Sequence, residues 1–300
     1  MIRLFFCGLY QEIQKKIICS FEKNKVTLKL SEIWVYPVKS LGGISLQLAQ
    51  VTDRGLELDR RWLLIDDESR FLSQREYPEL ALFKPEIVGG FLRITHRVHL
   101  ESIDIPLRPD FKGGTAKIKV TVWDDVIDAF EVSSDISEWF TKLLKFSARL
   151  VYMPDDSERK LDPDYSITGN EITSFSDAYP FLIIGQSSLD DLNGRLETKV
   201  PMNRFRPNFV FTNGKAFEED SWREFKIGDV SFIGVKPCDR CVMTTVDQEK
   251  GVISGKDPLK TLAKYRNFGN KVLFGQNVIG LGLGNVRVGD EIKVLNHNKK

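Results

Sequence analysis

The segments Ser31-Glu-Ile-Trp-Val-Tyr-Pro-Val38, Ile44-Ser-Leu-Gln-Leu-Ala-Gln-Val-Thr52 and Arg61-Trp-Leu-Leu-Ile65 decide the fold class of this chain. Apolar and polar residues alternate in them, with many β-branched and aromatic side chains, which is typical of β-strands. Residues that favour turns separate the segments, as around Gly55. The beginning of the chain therefore predicts a series of short strands.

The same pattern continues along the rest of the chain. Further strands are predicted at residues 91–95, 118–122, 126–131, 208–211, 230–235, 242–246 and 291–295. Helical spacing occurs at residues 134–145, 187–196 and 258–265, and Ser133 or Ser134 can cap the first of these helices. Many short strands with few helices predict an α+β, mostly β fold, with two β-barrel-like domains and a few packed helices.

The organisation of the chain is predicted in three parts. A polar, proline-bearing stretch at residues 153–170 indicates a loop or crossing between two β-rich halves, at residues 27–150 and 151–296. Residues 1–26 form a lead that we expect to be helical or poorly ordered, with a weak membrane-surface anchor as the alternative. Its apolar run is shorter than the roughly 20 residues that span a bilayer, so no stable membrane span is predicted.

The charge balance limits the classes of function. The chain has 43 Lys and Arg and 42 Asp and Glu, for a net charge of +1. This balance argues against a protein that coats nucleic acid or an anionic membrane, so any anion site must be a local cluster of cations. The four cysteines, Cys7, Cys19, Cys238 and Cys241, are too few for a disulfide framework. They favour a cytoplasmic location.

Cys238 and Cys241 have the CxxC spacing, within Lys236-Pro-Cys-Asp-Arg-Cys241. A structural zinc site needs further ligands, and no second Cys or His pair is near in sequence. A thioredoxin-like dithiol needs a helix N-terminus, whereas residues 242–246 predict a strand. A single thiolate ligand to a soft metal, with Arg240 and Lys236 keeping the sulfur deprotonated, also suits the pattern. Two inert buried cysteines are the remaining alternative, and the residues alone do not select the metal.

Several motifs in order carry a resemblance to a known family. The run Lys236-Pro-Cys-Asp-Arg-Cys-Val-Met-Thr-Thr-Val-Asp247, with Asp257-Pro-Leu-Lys-Thr-Leu-Ala-Lys-Tyr-Arg266 after it, resembles the core of the MOSC domain. Val35-Tyr-Pro-Val-Lys-Ser-Leu-Gly-Gly43 and Asp59-Arg-Arg-Trp62 resemble its N-terminal β-barrel domain. Phe175-Ser-Asp-Ala-Tyr-Pro-Phe-Leu-Ile-Ile184 and Arg204-Phe-Arg-Pro-Asn208 match between them. The resemblance covers nearly all of the chain beyond the lead and indicates the amidoxime-reducing-component type.

This resemblance implies a molybdenum cofactor, a pyranopterin dithiolene with a terminal phosphate. Cys241 would be the metal ligand and the catalytic residue, with Cys238 a neighbour. The implied cofactor contacts are Lys39, Ser40, Arg60, Asp177, Ala178, Tyr179, Arg206, Asp239 and Arg240. The cations among them would form the required local cluster, since arginine donates two parallel hydrogen bonds to phosphate. Relatives often have Thr or Ser where this chain has Ala178 and Tyr179, and backbone amides could still bind the cofactor there. At the level of the family, the resemblance also implies pyridoxal phosphate binding.

The implied activity is molybdenum-dependent reduction of small N-hydroxylated compounds. The sequence has no Gly-x-Gly-x-x-Gly fingerprint opening a helix and no cysteine-rich iron–sulfur module. A separate electron-donating reductase of flavin, iron–sulfur or cytochrome type is therefore expected, and protons could pass through Asp177, Asp239 or Asp247. The alternative is a non-catalytic cofactor carrier or sulfuration module, since MOSC domains also occur in sulfurases. Turnover with an artificial electron donor separates the two hypotheses.

Overall fold

The computed structural model describes residues 27–111 and 116–298. The predicted lead at residues 1–26, with Cys7 and Cys19, lies outside the described residues. Within the described ranges the chain forms 23 strands and three α-helices, which confirms the predicted α+β, mostly β class. None of the helices in these ranges combines the length and apolar character needed to cross a membrane.

The largest sheet has nine strands drawn from both ends of the chain. They are β1 (Lys29–Val35), β2 (Ile44–Leu46), β14 (Phe181–Gly185), β15 (Phe209–Thr212), β16 (Trp222–Ile227), β17 (Val230–Asp239), β20 (Asn267–Phe268), β21 (Lys271–Gly280) and β23 (Ile292–His297). The order is β2-β1-β15-β14-β21-β17-β16-β23, with β20 paired to β21. β14 and β15 run parallel, whereas β1 pairs antiparallel with β15. The first described strand is thus built into a sheet that comes mainly from the C-terminal half.

Both faces of this sheet are covered. On one face lies a sheet of β3 (Leu48–Thr52), β4 (Gly55–Leu56) and β22 (Gly284–Arg287), in the order β22-β3-β4. The other face meets the helices α2 (Gln186–Asn193) and α3 (Leu259–Tyr265). Alternate residues of β14 serve the two sides: Phe181 and Ile183 join the first core, and Leu182 and Ile184 pack with the helices. A strand buried on both faces reads as a continuous apolar run, as β14 does.

Seven further strands form two sheets of the N-terminal half. They are β5 (Trp62–Ile65), β9 (Ile118–Val122), β10 (Asp125–Glu131) and β11 (Arg149–Tyr152) in one sheet, and β6 (Phe83–Val88), β7 (Phe91–His96) and β8 (Ser102–Pro106) in another. The helix α1 (Ser134–Leu144) is capped by Ser133, whose side chain accepts a hydrogen bond from the Ile136 amide. Its buried face packs Phe140 against the core of this half, as its spacing predicts. Two short pairs complete the fold, β12 (Arg159–Lys160) with β13 (Ile172–Thr173) and β18 (Val246–Asp247) with β19 (Val252–Ile253).

The predicted strand at residues 242–246 is wrong. Val242–Thr245 forms a 3₁₀ turn that follows Cys241. The Thr244 hydroxyl donates to the Cys241 carbonyl at 3.0 Å, and the Thr245 hydroxyl donates to the Val242 carbonyl at 2.7 Å. Threonine hydroxyls that bond to the backbone three residues back compete with strand pairing, so they override the β-branched pattern here. The CxxC run therefore passes from the end of β17 directly into a tight turn.

Candidate functional site

A cavity of about 610 Å³ lies where loops of the N-terminal half meet the strand ends of the nine-stranded sheet. All ten predicted site residues line it, although they come from distant parts of the chain. Eight Lys and Arg side chains and two Asp side chains take part in the lining. Because the whole chain carries a net charge of only +1, positive charge is concentrated at this cavity. Such a cavity attracts an anion.

Arg60, Arg206 and Asn208 line one end of the cavity. Together with the buried Tyr36 and Asp59, which contact the arginines, they form what we call the guanidinium–tyrosine cluster. The guanidinium carbons of Arg60 and Arg206 lie 4.5 Å and 4.2 Å from the centre of the Tyr36 ring. Asp59 accepts from the Tyr36 amide at 2.8 Å and from Arg60 Nη1 at 2.5 Å. Asn208 accepts from Arg60 Nη1 at 3.2 Å. Cation–π contacts and a buried carboxylate thus hold both arginines in place.

Burial shapes the electrostatics of this cluster. It raises the pKa of Tyr36, although the charges of Arg206 and Arg60 oppose the shift. Burial also lowers the pKa of Arg206 to about 10, while Tyr36 opposes this shift. Arg206 remains charged at neutral pH and donates from Nη1 to the Leu41 carbonyl at 2.7 Å. The cluster therefore presents fixed positive charge to the cavity.

Backbone strain is concentrated in the same region. Ser40, Arg60 and Arg206 have φ values of 68°, 51° and 54°, in the left-handed region that favours glycine. Such a conformation costs about 1 kcal/mol or more per residue, and it persists at sites where the surroundings impose it. Arg60 precedes β5, and Arg206 follows the 3₁₀ turn Met202–Arg204. Turns therefore orient these two arginines.

The other end is formed by Lys39, Arg75, Asp177 and Cys241, which we call the thiol cluster. Arg75 Nε donates to Cys241 Sγ at 3.2 Å. Asp177 bridges two cations, with Oδ1 at 2.6 Å from Lys39 Nζ and Oδ2 at 3.4 Å from Arg75 Nη2. Burial opposes the ionisation of Asp177, but Lys39 and Arg75 outweigh it and hold the pKa of Asp177 well below its usual range. Burial lowers the pKa of Lys39 to about 8, although Asp177 opposes the shift.

The cation beside the cysteine sulfur is Arg75, not Arg240 or Lys236 as the motif suggests. Arg240 donates to the Phe274 and Phe205 carbonyls at 2.8 Å and 3.0 Å. The Lys236 ammonium lies 3.6 Å from the centre of the Tyr165 ring. Arg240 lines the cavity, but it makes these hydrogen bonds with backbone carbonyls, whereas Arg75 donates to the Cys241 sulfur. Arg75 lies 166 residues from Cys241 in sequence, and no spacing signal identifies it.

The other predicted residues occupy distinct places in the lining. Ser40 is buried, and its carbonyl accepts from Gln74 at 2.6 Å. Asp239 accepts from the Val272 amide at 3.1 Å, which ties β17 to β21. Tyr179 packs in a small apolar cluster, beside Ala178. Asn208, missed by the sequence reasoning, ends the quoted Arg-Phe-Arg-Pro-Asn motif and could have been selected from it.

Cys238 and Arg240 complete the CxxC region. Cys238 is half-buried and packs against an apolar cluster, and burial raises the pKa of its thiol. It lies at the end of β17, whereas Cys241 directly precedes the 3₁₀ turn, and both are free thiols. Arg240 Nη2 is buried with no hydrogen-bond partner among the described residues. In the same part of the chain, no three His, Cys, Asp or Glu side chains are placed to hold a metal ion.

Comparison with known proteins defines the class. The sequence matches the MOSC N-terminal beta barrel domain at residues 27–147 and the MOSC domain at residues 170–293. Together these two matches cover most of the chain. Mitochondrial amidoxime reducing component 2 of Rattus norvegicus is 34% identical over 280 residues, covering 88% of this chain and 82% of the relative. Mitochondrial amidoxime-reducing component 1 of Homo sapiens is 33% identical over 281 residues, covering 89% and 82%. The chain belongs to the amidoxime-reducing-component family of MOSC-domain proteins, which confirms the resemblance.

Proposed function

We propose that this protein is a molybdenum-cofactor-dependent reductase that removes oxygen from small N-hydroxylated compounds. The observation that carries the proposal is the placement of Cys241 in the cation-lined cavity, with Arg75 Nε at 3.2 Å from its sulfur. Family membership supports it, since the named relatives are amidoxime-reducing components. A thiolate is a suitable ligand for a soft metal centre.

The residues of the cavity fit a phosphate-bearing anionic cofactor. Arg240 Nη2 is a buried donor without a partner in the described chain, and a buried unpaired donor is costly unless a ligand accepts its hydrogen bond. Lys39, Arg60 and Arg206 add charge-assisted donors around the same cavity. We assign Cys241 to hold the metal and these cations to hold the anionic part of the cofactor.

The reaction is N–O bond cleavage. The bond breaks, the oxygen takes up one proton and leaves as water, and the nitrogen gains the other proton, so the step takes two electrons and two protons. When bound, the cofactor supplies this two-electron chemistry, and the protein binds, orients and tunes it. We propose that the electrons come from a separate reductase, because the sequence has no nicotinamide fingerprint.

The charges in the site reduce the number of candidate proton donors. The low pKa values of Asp177 and Asp247 leave these carboxyls without a proton at neutral pH. Lys39 has a pKa of about 8 and lines the cavity, so its Nζ holds a transferable proton at neutral pH. We therefore assign the proton to Lys39 in place of Asp177 and Asp247. The cytoplasmic location stays a prediction, and the named relatives are mitochondrial.

The proposal is tested by metal analysis and turnover. Protein from a molybdate-supplied host should contain equimolar molybdenum and oxidise reduced viologen when an amidoxime is present. NADH alone should drive no turnover without an added reductase. Protein that binds molybdenum but reduces no N-hydroxylated compound with viologen would support the carrier or sulfuration alternative. Protein that binds no molybdenum under these conditions would contradict both hypotheses.

A further inference from the structure

Gln74 and Gln248 form a buried amide pair, although they lie 174 positions apart in sequence. Gln248 Nε2 donates to Gln74 Oε1 at 2.8 Å, and Gln74 Nε2 donates to Gln248 Oε1 at 3.3 Å. A buried amide needs partners for both its oxygen and its nitrogen, and two facing amides supply them to each other. Neither glutamine lines the cavity. The pair can therefore act on the site only through the residues next to it.

The neighbours of Gln74 include both cations of the thiol cluster. Gln74 directly precedes Arg75, whose Nε donates to Cys241 Sγ at 3.2 Å. Gln74 Nε2 also donates to the Ser40 carbonyl at 2.6 Å, and Ser40 directly follows Lys39. One buried side chain thus ties together the two backbone segments that carry these cations.

Gln248 belongs to the segment that carries the sulfur. It lies in the hairpin of β18 and β19, which follows the 3₁₀ turn after Cys241. The same hairpin packs against the 3₁₀ helix Pro78–Leu82, since a Cβ added to Gly251 would lie only 2.7 Å from Leu82 Cγ. The segment with the guanidinium and the segment with the sulfur are therefore held together by packing as well as by the amide pair.

The contacts at the end of the Arg75 side chain are weaker. Arg75 Nη2 lies 3.4 Å from Asp177 Oδ2, and the Asp177 side chain is 54% exposed. The guanidinium carbon lies 4.5 Å from the ring centre of Trp123, which is 45% exposed. Exposed ion pairs contribute little, and a long arginine side chain loses much conformational freedom when it is held. A fixed backbone at Arg75 is therefore needed to keep the guanidinium next to the sulfur.

We propose that Gln74 and Gln248 are positioning residues, which fix the backbone of Arg75 so that its guanidinium donates to the Cys241 sulfur. The inference rests on the proposed function, in which this sulfur binds a redox-active metal. Hydrogen bonds to a ligand from residues around it orient the ligand and tune the metal. Loss of the amide pair therefore weakens the contact at the sulfur without removing Arg75 or Cys241.

The test replaces each glutamine with methionine, which has a similar length and lacks the amide group. In molybdenum-loaded protein, Gln74→Met and Gln248→Met should each lower the midpoint potential by at least about half of the shift that Arg75→Gln causes, because the hydrogen bond at the sulfur favours the reduced metal. Gln276→Met is the matched control. Gln276 is as fully buried as Gln74 and lies outside the cavity lining, so its replacement should leave the potential unchanged. An EPR-monitored redox titration measures the potentials.

Two double variants separate positioning from stability. Gln74→Met/Gln248→Met leaves neither amide of the pair without its partner, so it should unfold in urea much like the wild type while its potential stays low. Gln74→Met/Arg75→Gln should have the same potential as Arg75→Gln alone, because Gln74 acts through Arg75. A potential that recovers together with the stability, or two shifts that add, would overturn the positioning role.

The inference and the proposed function fail in different ways. In loaded protein, an unchanged potential in either single methionine variant would contradict the inference. If the protein binds no molybdenum, crystal structures of the cofactor-free wild type and of Gln74→Met/Gln248→Met decide. A contact between Arg75 and Cys241 that is present in the wild type and lost in the variant would support the positioning role although the reductase function fails. A contact that the variant keeps, or that the wild type lacks, would overturn it.

Discussion

The two ends of the cavity are built differently. In the guanidinium–tyrosine cluster, the fully buried Asp59 carboxylate pairs with Arg60, and the Tyr36 ring contacts both Arg60 and Arg206. Both arginines also have a left-handed backbone conformation. In the thiol cluster, Asp177 is 54% exposed and bridges Lys39 and Arg75, the second contact being 3.4 Å long. Folding therefore completes the first end by itself. The second end is held by ion pairs that a bound anion can replace.

The largest expected effect is at the sulfur. Cys241→Ser should abolish turnover and remove most of the bound molybdenum, because the alcohol is a poor ligand for a metal that prefers thiolate. Cys238→Ser should keep most of the metal, since Cys238 packs against apolar side chains. Metal analysis of the two variants in parallel measures the difference. Equal loss of metal from both would indicate a shared or dithiol site.

The next effect tests whether the guanidinium–tyrosine cluster is completed by folding. Asp59→Ala should lower the free energy of unfolding of the cofactor-free protein by about 3 kcal/mol, because it leaves buried arginine charge unpaired. Asp155→Ala is the control: Asp155 also pairs with an arginine but is 89% exposed. Asp155→Ala should lower the free energy of unfolding by less than about 1 kcal/mol. Urea unfolding compares them, and similar losses in the two variants would show that the cluster is not pre-formed.

A smaller effect is expected on the midpoint potential when Arg75 is replaced. The positive charge and the hydrogen bond at Cys241 Sγ favour the more negative, reduced state of a bound metal. Arg75→Gln should therefore lower the midpoint potential of the loaded protein by about 60 mV, about 1.4 kcal/mol for a one-electron couple. Arg75→Lys keeps the charge and should shift the potential less. An EPR-monitored redox titration gives these values, and an unchanged potential in Arg75→Gln would remove Arg75 from this role.

The smallest expected effect is a pH dependence of anion binding at the thiol cluster. Lys39 has a pKa of about 8 in the free protein, and a bound anion raises it. Anion affinity is therefore full below about pH 8 and falls as pH rises through that value. Sulfate binding to cofactor-free protein should weaken about tenfold between about pH 7 and about pH 9 by calorimetry. Lys39→Arg stays charged and should abolish this dependence. A wild-type affinity that stays constant over this range would contradict the assignment.

Local patterns predicted local structure well. The strand β9 and the capped start of α1 are confirmed, because alternation and capping depend on neighbouring residues. The ordered motifs also predicted which distant residues line one cavity. The division near residue 150 stays a prediction.

One failed prediction has a local cause, and the others depend on tertiary contacts. The turn after Cys241 arises from threonine hydroxyls that compete with strand pairing. The left-handed backbone of Arg60 and Arg206 follows from tertiary contacts, not from residue type. Arg75 reaches Cys241 only through the fold. Sequence motifs could therefore select the lining, whereas the hydrogen bonds within it required the structure.

The pairing of β1 with β15 has a consequence for biosynthesis. Lys29 lies opposite Thr212, so about 180 residues leave the ribosome between the two partners. At a synthesis rate of about 5–20 residues per second, the edge of β1 that pairs with β15 stays unpaired for roughly 10 to 40 s. The nascent chain is then exposed to aggregation, and a chaperone that shields strand edges would raise its yield. If the gene were split near residue 150, β1 would lie on the N-terminal fragment and its partner β15 on the C-terminal fragment. The two fragments would then form the complete sheet only when produced together.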